Sequence, residues 1–260
     1  MTAPAVDGGR FTPAPGAAPL GRMVWAQTRS ELATQLRNGE QLLLILVIPT
    51  LLLVLFTLVD VVSLGSGRRV DYLLPGILAL AVMSTAFTGQ AIGTGFERRY
   101  GVLKRLGSTP LPRSGLLAAK TLAVLVVELG QLLLLLGVGA LLGWRPGNIQ
   151  WLTVLLLLAL GTAAFSGLGL LMAGTLRAEA TLALANLVYL LLLLAGGIVV
   201  PLDRFPAGAQ PVLEALPSTA LADGLRTAFS GGPAPWGPIG VLTLWAAGSL
   251  TAAALTFRWE

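Results

Sequence analysis

The residue types that carry most enzyme chemistry are missing from this chain. Its 260 residues include no Cys and no His, which excludes thiolate nucleophiles, Ser-His-Asp triads and zinc sites built from Cys or His. A phosphate-binding Walker A loop needs Gly-Lys followed by Ser or Thr, but the two lysines, Lys104 and Lys120, follow Leu103 and Ala119. We therefore predict a chain without catalytic residues, metal ligands or a cofactor of its own.

Glu128 is a carboxylate in the middle of the apolar run 116–142. Inserting an ionised carboxylate at the centre of a bilayer costs about 2.5–3.5 kcal/mol on translocon scales, so its side chain should face protein or water. It could line a substrate route, pair with an Arg, or be a protonated and hydrogen-bonded structural residue. Glu128 is thus the candidate residue for a substrate route.

The segment 96–110 carries a second informative set of side chains. Its apolar residues recur at helical spacing while its charged residues point elsewhere, and Gly107 and Pro110 would end the helix. The apolar set is Phe96, Tyr100, Leu103 and Leu106, and the charged set is Glu97, Arg98, Arg99, Lys104 and Arg105. Such a helix can dock in a groove of a soluble partner. The alternative is a positively charged loop that only sets topology.

Long apolar segments contain Glu128 and border the segment 96–110. Apolar residues make up 55% of the chain and charged residues 11%, and the mean hydropathy is +0.82, which is typical of a bilayer protein. Six segments each approach the ~20 residues that cross the hydrocarbon as a helix. They are about 41–63, 72–94, 116–142, 151–175, 181–200 and 237–256. We predict an all-α integral membrane protein with six transmembrane helices.

The N-terminal part precedes the first span. Residues 1–20 are rich in Ala, Pro and Gly without periodicity, which predicts a disordered tail. Residues 21–38 are amphipathic, with Trp25, Leu32 and Leu36 on one face. Their position directly before a span favours a helix lying along the membrane surface over an ordinary soluble amphipathic helix. The remainder, 21–260, is predicted to be a single transmembrane domain.

Orientation follows from the basic residues. An even number of spans puts both termini on one side, and cytoplasmic termini place twelve of the seventeen Lys and Arg residues inside and five outside. The positive-inside rule therefore predicts a multi-pass protein with both termini in the cytoplasm. The net charge of +5 could indicate nucleic acid, but topology explains basic residues at the ends of apolar blocks, so we predict no nucleic-acid partner.

The connection 201–238 lies between the fifth and sixth predicted spans, on the outer side. It mixes Pro and Gly with short apolar runs, notably 211–216 and 220–229. This composition is too polar to cross lipid and too apolar for a free loop. It could fold back against the outer mouth of the protein or form an ordinary surface loop.

Three motifs occur in order along the chain. The loop after the second span contains Glu97-Arg98, Gly101, Leu103, Leu106 and Thr109-Pro110, with Arg113 and Lys120 further on. The second span opens with Leu73-Leu74-Pro75-Gly76, and the region after the fifth contains Gly196-Gly197, Pro201, Pro206, Pro217 and Leu225-Arg226. The ordered set resembles ABC-2 type permeases, the membrane subunits of type V ABC exporters, and is similar to short bacterial antibiotic- and daunorubicin-resistance permeases. One departure is Arg99, where that family often has a second acidic residue.

The resemblance covers nearly the whole chain after the tail, and it implies roles for several segments. It implies an interface helix at 21–38, a coupling helix near 97–106, and short re-entrant helices between spans five and six. The first two would contact a separate ATP-binding subunit, which binds ATP and Mg. The coupling residues would be Glu97, Arg98, Gly101, Leu103, Leu106, Thr109 and Pro110, and the interface residues Trp25, Leu32 and Leu36.

The resemblance also implies a function. A dimer with a second copy or a paralogous permease, embedded in membrane lipids, would export an amphipathic, drug-like compound. The chain has fifteen Arg to two Lys and is rich in Ala and Gly, which is typical of GC-rich bacterial genomes and indicates a bacterial plasma membrane. Export of a lipid or lipid-linked glycan by the same machinery is the alternative. Ion-coupled secondary transporters carry several intramembrane ionisable groups and inverted repeats, whereas this chain has Glu128 and no convincing repeat. A membrane scaffold without transport activity is a third class.

Overall fold

The computed structural model describes residues 16–59, 68–198 and 202–257, and the regular elements in these ranges are all helical. In chain order they are α1 (Leu20–Arg37), α2 (Gly39–Leu58), α3 (Arg69–Val82), a π-helical segment (Met83–Gly89), α4 (Gln90–Arg99), α5 (Val102–Gly107), α6 (Arg113–Leu141), α7 (Trp151–Thr175), α8 (Ala178–Ala195), a 3₁₀ turn (Leu202–Arg204), α9 (Gln210–Glu214), α10 (Pro217–Phe229) and α11 (Trp236–Thr256).

Six helices in the described part of the chain are long and apolar enough to cross a membrane. They are Gln41–Leu58, Arg69–Arg99, Arg113–Leu141, Trp151–Thr175, Ala178–Ala195 and Trp236–Thr256. The all-α class is therefore confirmed for the described residues, and the six predicted spans correspond in number and order to these six candidate helices. The second span is one long helix made of α3, the π-helical segment and α4.

Several helix ends differ from the predicted span ends. The second and third helices are longer than 72–94 and 116–142 because their hydrogen bonding continues through charged end residues, whereas hydropathy detects only the apolar stretch. The fifth ends at Ala195, before Gly197, whose φ of 62° lies in the left-handed region. Residues 60–63 of the first predicted span, residues 199–200 of the fifth and residues 1–15 of the predicted tail lie outside the described residues.

The second span is the centre of the bundle. Of its most apolar stretch 83% is buried, against 11% for α2 and 22% for α8. Its own side chains form the main hydrophobic cluster together with side chains from α6, α7 and α10. A second, smaller cluster joins α5, α6, α7 and α11 at the end of the bundle that carries α1, which we call the α1 end. Because α2 and α8 pack little within the chain, their apolar faces are left for lipid or another subunit.

Pro49 lies inside α2 without ending the helix. Proline has no N–H, so the carbonyl four residues earlier, that of Ile45, loses its helical partner. The side chain of Gln131 in α6 replaces that partner, because its Nε2 donates to the Ile45 oxygen at 2.8 Å. The freed carbonyl is thus satisfied by a neighbouring helix, as a lipid-embedded proline requires.

Candidate functional site

The N-terminal helix α1 packs on α6, and the residues that it buries most deeply are polar. Thr28 and Glu31 are its buried residues, while Trp25 is 60% exposed and Leu36 54% exposed. Leu32 is half-buried. A helix is present where one was expected at 21–38. Its Met23 and Val24 pack against the smaller hydrophobic cluster, whereas Trp25 and Leu36 point away from the bundle.

The segment expected to form one helix over 97–106 is divided in two, which corrects that prediction. Glu97 and Arg98 belong to the last turn of α4, and α5 begins only at Val102. The break falls at Gly101, whose φ of 71° favours glycine. As a result the expected apolar stripe is split: Leu103 is fully buried, whereas Tyr100 is 68% exposed.

Three charged side chains meet in the interior at the α1 end. Lys120 Nζ donates to Glu31 Oε2 at 2.9 Å and to Glu97 Oε2 at 2.7 Å. Lys120 is 3% exposed, whereas the Glu97 side chain is 27% exposed. Gln27 Nε2 also donates to Glu31 Oε1 at 2.8 Å. This ionic triad (Lys120, Glu31 and Glu97) joins α6, α1 and α4, so a rigid movement of one helix is resisted by the other two.

The other predicted coupling residues, and Arg99 beside them, lie at the α1 end, some at the surface and some in the smaller hydrophobic cluster. Arg98 donates to the backbone oxygen of Leu176 at the end of α7, and Arg99 pairs with Glu179 at the start of α8. Leu103 anchors α5 in the smaller hydrophobic cluster, where half-buried Leu106 also packs. Thr109 Oγ1 donates to the Leu106 oxygen at 2.6 Å. Thr109 and Pro110 are exposed, and Gly101 is half-buried.

Glu128, the candidate for a substrate route, is buried against α7. It is 3% exposed, and Thr162 donates a hydrogen bond to its Oε2. Within the described ranges its Oε1 has no hydrogen-bond partner. Glu128 lines neither of the two cavities described below. Glu128 therefore contacts Thr162 and lies outside the cavity that the triad lines.

Further buried polar residues, which the sequence reasoning missed, continue from the triad through the bundle. Gln90 donates to Ser166, which also shares a hydrogen bond with Thr121 at 2.8 Å. Thr85 donates to Gln131 Oε1 at 3.2 Å. A signal was present in α6, because Lys120, Glu128 and Gln131 fall on one face at spacings of eight and three. The hydrogen-bond partners on the other helices show no such spacing in the sequence.

At the opposite end, two of the ordered motifs meet. A Cβ at Gly76 would lie 2.6 Å from the Ile198 oxygen and 3.1 Å from Arg226 Nη2, so only glycine allows this approach. Arg226 donates to the Ile198 oxygen at 2.7 Å and to Asp223 Oδ1 at 2.8 Å, and its guanidinium lies 4.0 Å from the centroid of the Tyr72 ring. Burial raises the pKa of the Asp223 carboxyl, although the ion pair with Arg226 opposes the shift.

Two adjoining cavities open beside the second span. The smaller, of about 190 Å³, lies between α1, α2, α4 and α6 and includes the triad in its wall. The larger, of about 590 Å³, lies between α2, the second span and α8. No group of three or more metal-ligating side chains occurs in the described ranges.

Fold and site together define a multi-pass helical membrane protein with a polar interior at one end. Residues 22–230 match the family model described as "ABC-2 type transporter". The chain therefore belongs to the ABC-2 type transporter family, and the resemblance inferred from the ordered motifs is confirmed.

Two curated relatives illustrate the family. One is DrrC of Mycobacterium tuberculosis, named as a doxorubicin resistance ABC transporter permease protein. It is 31% identical over 216 residues, which cover 81% of this chain and 75% of DrrC. The other is YvfS of Bacillus subtilis, named as a transport permease, which is 25% identical over 83% of this chain and 89% of YvfS. Both matches extend across most of the membrane domain.

Proposed function

We propose that this chain is the membrane-spanning permease subunit of an ATP-driven exporter of amphipathic, drug-like compounds. The observation that carries the proposal is the match to a doxorubicin resistance permease over 81% of the chain. The family consists of transmembrane subunits, so ATP is hydrolysed by a separate ATP-binding subunit that holds ATP and Mg. The two lysines of this chain stand outside any Walker A sequence, in agreement with that division of labour.

The contact with the ATP-binding subunit is assigned to the α1 end. The exposed side of α1, with Trp25 and Leu36, and the exposed residues around α5 are the surfaces available there. In this proposal α1 is the interface helix and α5 is the coupling helix. The ionic triad lies directly behind both, so force applied to either surface reaches the second span.

The remaining assignments concern assembly and topology. The weakly buried faces of α2 and α8 are proposed to face a second copy or a paralogous permease across the substrate path. The helices α9 and α10, which lie between the fifth and sixth spans, are proposed to be the re-entrant outer helices. The α1 end and both termini are placed in the cytoplasm of a bacterium, with the chain in the plasma membrane.

The functional test is transport by the assembled complex. The chain is co-purified with its ATP-binding subunit, reconstituted into liposomes and assayed for ATP-dependent movement of fluorescent amphiphiles of several classes. Transport should require ATP and should stop when the Walker A lysine of the ATP-binding subunit is replaced. Transport by this chain alone, driven by an ion gradient, would instead identify a secondary transporter.

The topology test uses single cysteines, because the natural chain has none. Ser108 and Ser230 are both exposed, at opposite ends of the bundle. In intact cells a membrane-impermeant maleimide should label Ser230→Cys and leave Ser108→Cys unlabelled. Permeabilised cells are the control, and there both cysteines should react. Labelling of Ser108→Cys alone in intact cells would invert the proposed orientation.

A further inference from the structure

The two cavities beside the second span adjoin each other. They share five lining residues, which are Asn38, Gln41, Ile45, Gly89 and Gly93. Gly93 is exposed, and a Cβ added to it would meet no atom within 4 Å. The shared wall therefore has open space at Gly93, where there is room for a molecule to extend from one cavity into the other.

The walls of the two cavities differ in chemistry. The larger has an apolar wall that includes Leu44, Ile48, Leu80 and Ile92. Its polar groups are few, and the buried Oγ1 of Thr88 has no hydrogen-bond partner among the described residues. Such a wall suits an apolar body with one or two polar substituents.

The smaller cavity has an excess of negative charge. Among the described side chains of its wall the charged ones are Glu31, Glu97 and Lys120, which is two carboxylates to one ammonium. Glu31 uses both oxygens, because Gln27 and Lys120 donate to them. Among the contacts of the described residues Glu97 accepts a hydrogen bond at Oε2, and its side chain is the more exposed of the two carboxylates. The uncompensated carboxylate therefore needs a proton or a bound cation to balance it in this low-dielectric site.

We propose that the joined cavities bind an amphipathic organic monocation. Its apolar body lies in the larger cavity, and its positive charge lies in the smaller one against Glu97. This inference rests on the proposed function and narrows it, because it selects cationic amphiphiles from the drug-like compounds. Anionic amphiphiles of the same size are excluded, since their charge would face the excess carboxylate.

The test uses two ions of matched size and opposite charge, tetraphenylphosphonium and tetraphenylborate. Binding to the full chain is measured by equilibrium dialysis in uncharged maltoside micelles, at mildly alkaline pH, where carboxylates are ionised. The wild type should prefer the phosphonium. Glu97→Gln, which keeps the shape and a hydrogen-bond acceptor, should weaken phosphonium binding about tenfold and leave borate binding unchanged or stronger.

Two further variants separate charge from shape. Glu179→Gln removes a carboxylate that is outside both cavities and paired with Arg99. This variant should bind both ions as the wild type does. Gly93→Leu fills the open boundary and should weaken the binding of both ions. Competition by a short-chain phosphatidylethanolamine would identify a lipid ammonium as the source of the cation, whereas its failure to compete would assign the site to a non-lipid compound.

Equal wild-type affinity for the two ions would overturn the inference, as would a Glu97→Gln variant that loses no phosphonium affinity. If Gly93→Leu bound both ions with wild-type affinity, neither ion would occupy the joined cavities, and the inference would be overturned as well. None of these measurements needs ATP or the partner subunit. The two proposals can therefore fail separately. A chain that binds both ions equally but still exports substrate with ATP would refute only this inference. A chain that binds the phosphonium but shows no ATP-driven transport would refute only the proposed function.

Discussion

Replacing Lys120 with methionine is expected to lower the free energy of unfolding by about 3–5 kcal/mol, the cost of leaving a buried charge without its partner. Lys120 is 3% exposed and donates to both Glu31 and Glu97. Without it two carboxylates face each other with no cation between them. The loss can be measured by titrating the purified chain with SDS in mixed micelles. Lys104→Met is the matched control, because Lys104 is the other lysine and is exposed.

A triple variant distinguishes charge from packing. Lys120→Met combined with Glu31→Gln and Glu97→Gln removes all three charges and keeps most of the volume. Replacing a whole buried ion cluster with neutral groups is often close to neutral. The triple variant should therefore recover more than half of the stability lost by Lys120→Met. If it is as unstable as the single variant, lost packing of the Lys120 stem is the cause.

The spans could be predicted because the bilayer imposes a length and an apolar composition on each crossing helix. The helix ends could not, because charged residues such as Arg98 and Arg99 continue the second span beyond the apolar part. The break after α4 had a visible cause in Gly101, but a glycine within an amphipathic stripe does not by itself indicate a left-handed turn. Local residue types thus constrain the core of each element more than its ends.

The site was harder to predict because an apolar side chain that faces lipid does not need to be buried within the protein. In water the face of α1 with Trp25 and Leu36 would be the packed one, but beside a bilayer it can stay outside. The face with Glu31 is buried instead, where it meets Lys120, 89 positions further along the chain. The sequence contains both residues and no local feature that pairs them. Only the packing of α1 on α6 reveals the triad.

Replacing Glu97 with alanine is expected to uncouple substrate binding from ATP hydrolysis while the fold survives. The remaining Lys120–Glu31 pair is electrically balanced, so no buried charge is left uncompensated. The link from the last turn of α4 to α6 and α1 is lost, however, and α5 begins only five residues later. In the complex with the ATP-binding subunit, stimulation of ATP hydrolysis by a saturating uncharged amphiphile should fall at least about fivefold. This factor is the lower end of the range that is typical of coupling between two sites. Basal hydrolysis should persist.

The conservative variant decides whether Glu97 acts through position or through charge. Glu97→Gln can still accept a hydrogen bond from Lys120, so the three helices stay linked and stimulation by the uncharged amphiphile should be largely retained. Glu179→Ala, at the same end of the bundle but outside the triad, should be coupled like the wild type. Wild-type stimulation in Glu97→Ala would show that force reaches the second span by another route. Equal losses in the Ala and Gln variants would make the negative charge, not the linkage, the coupling element.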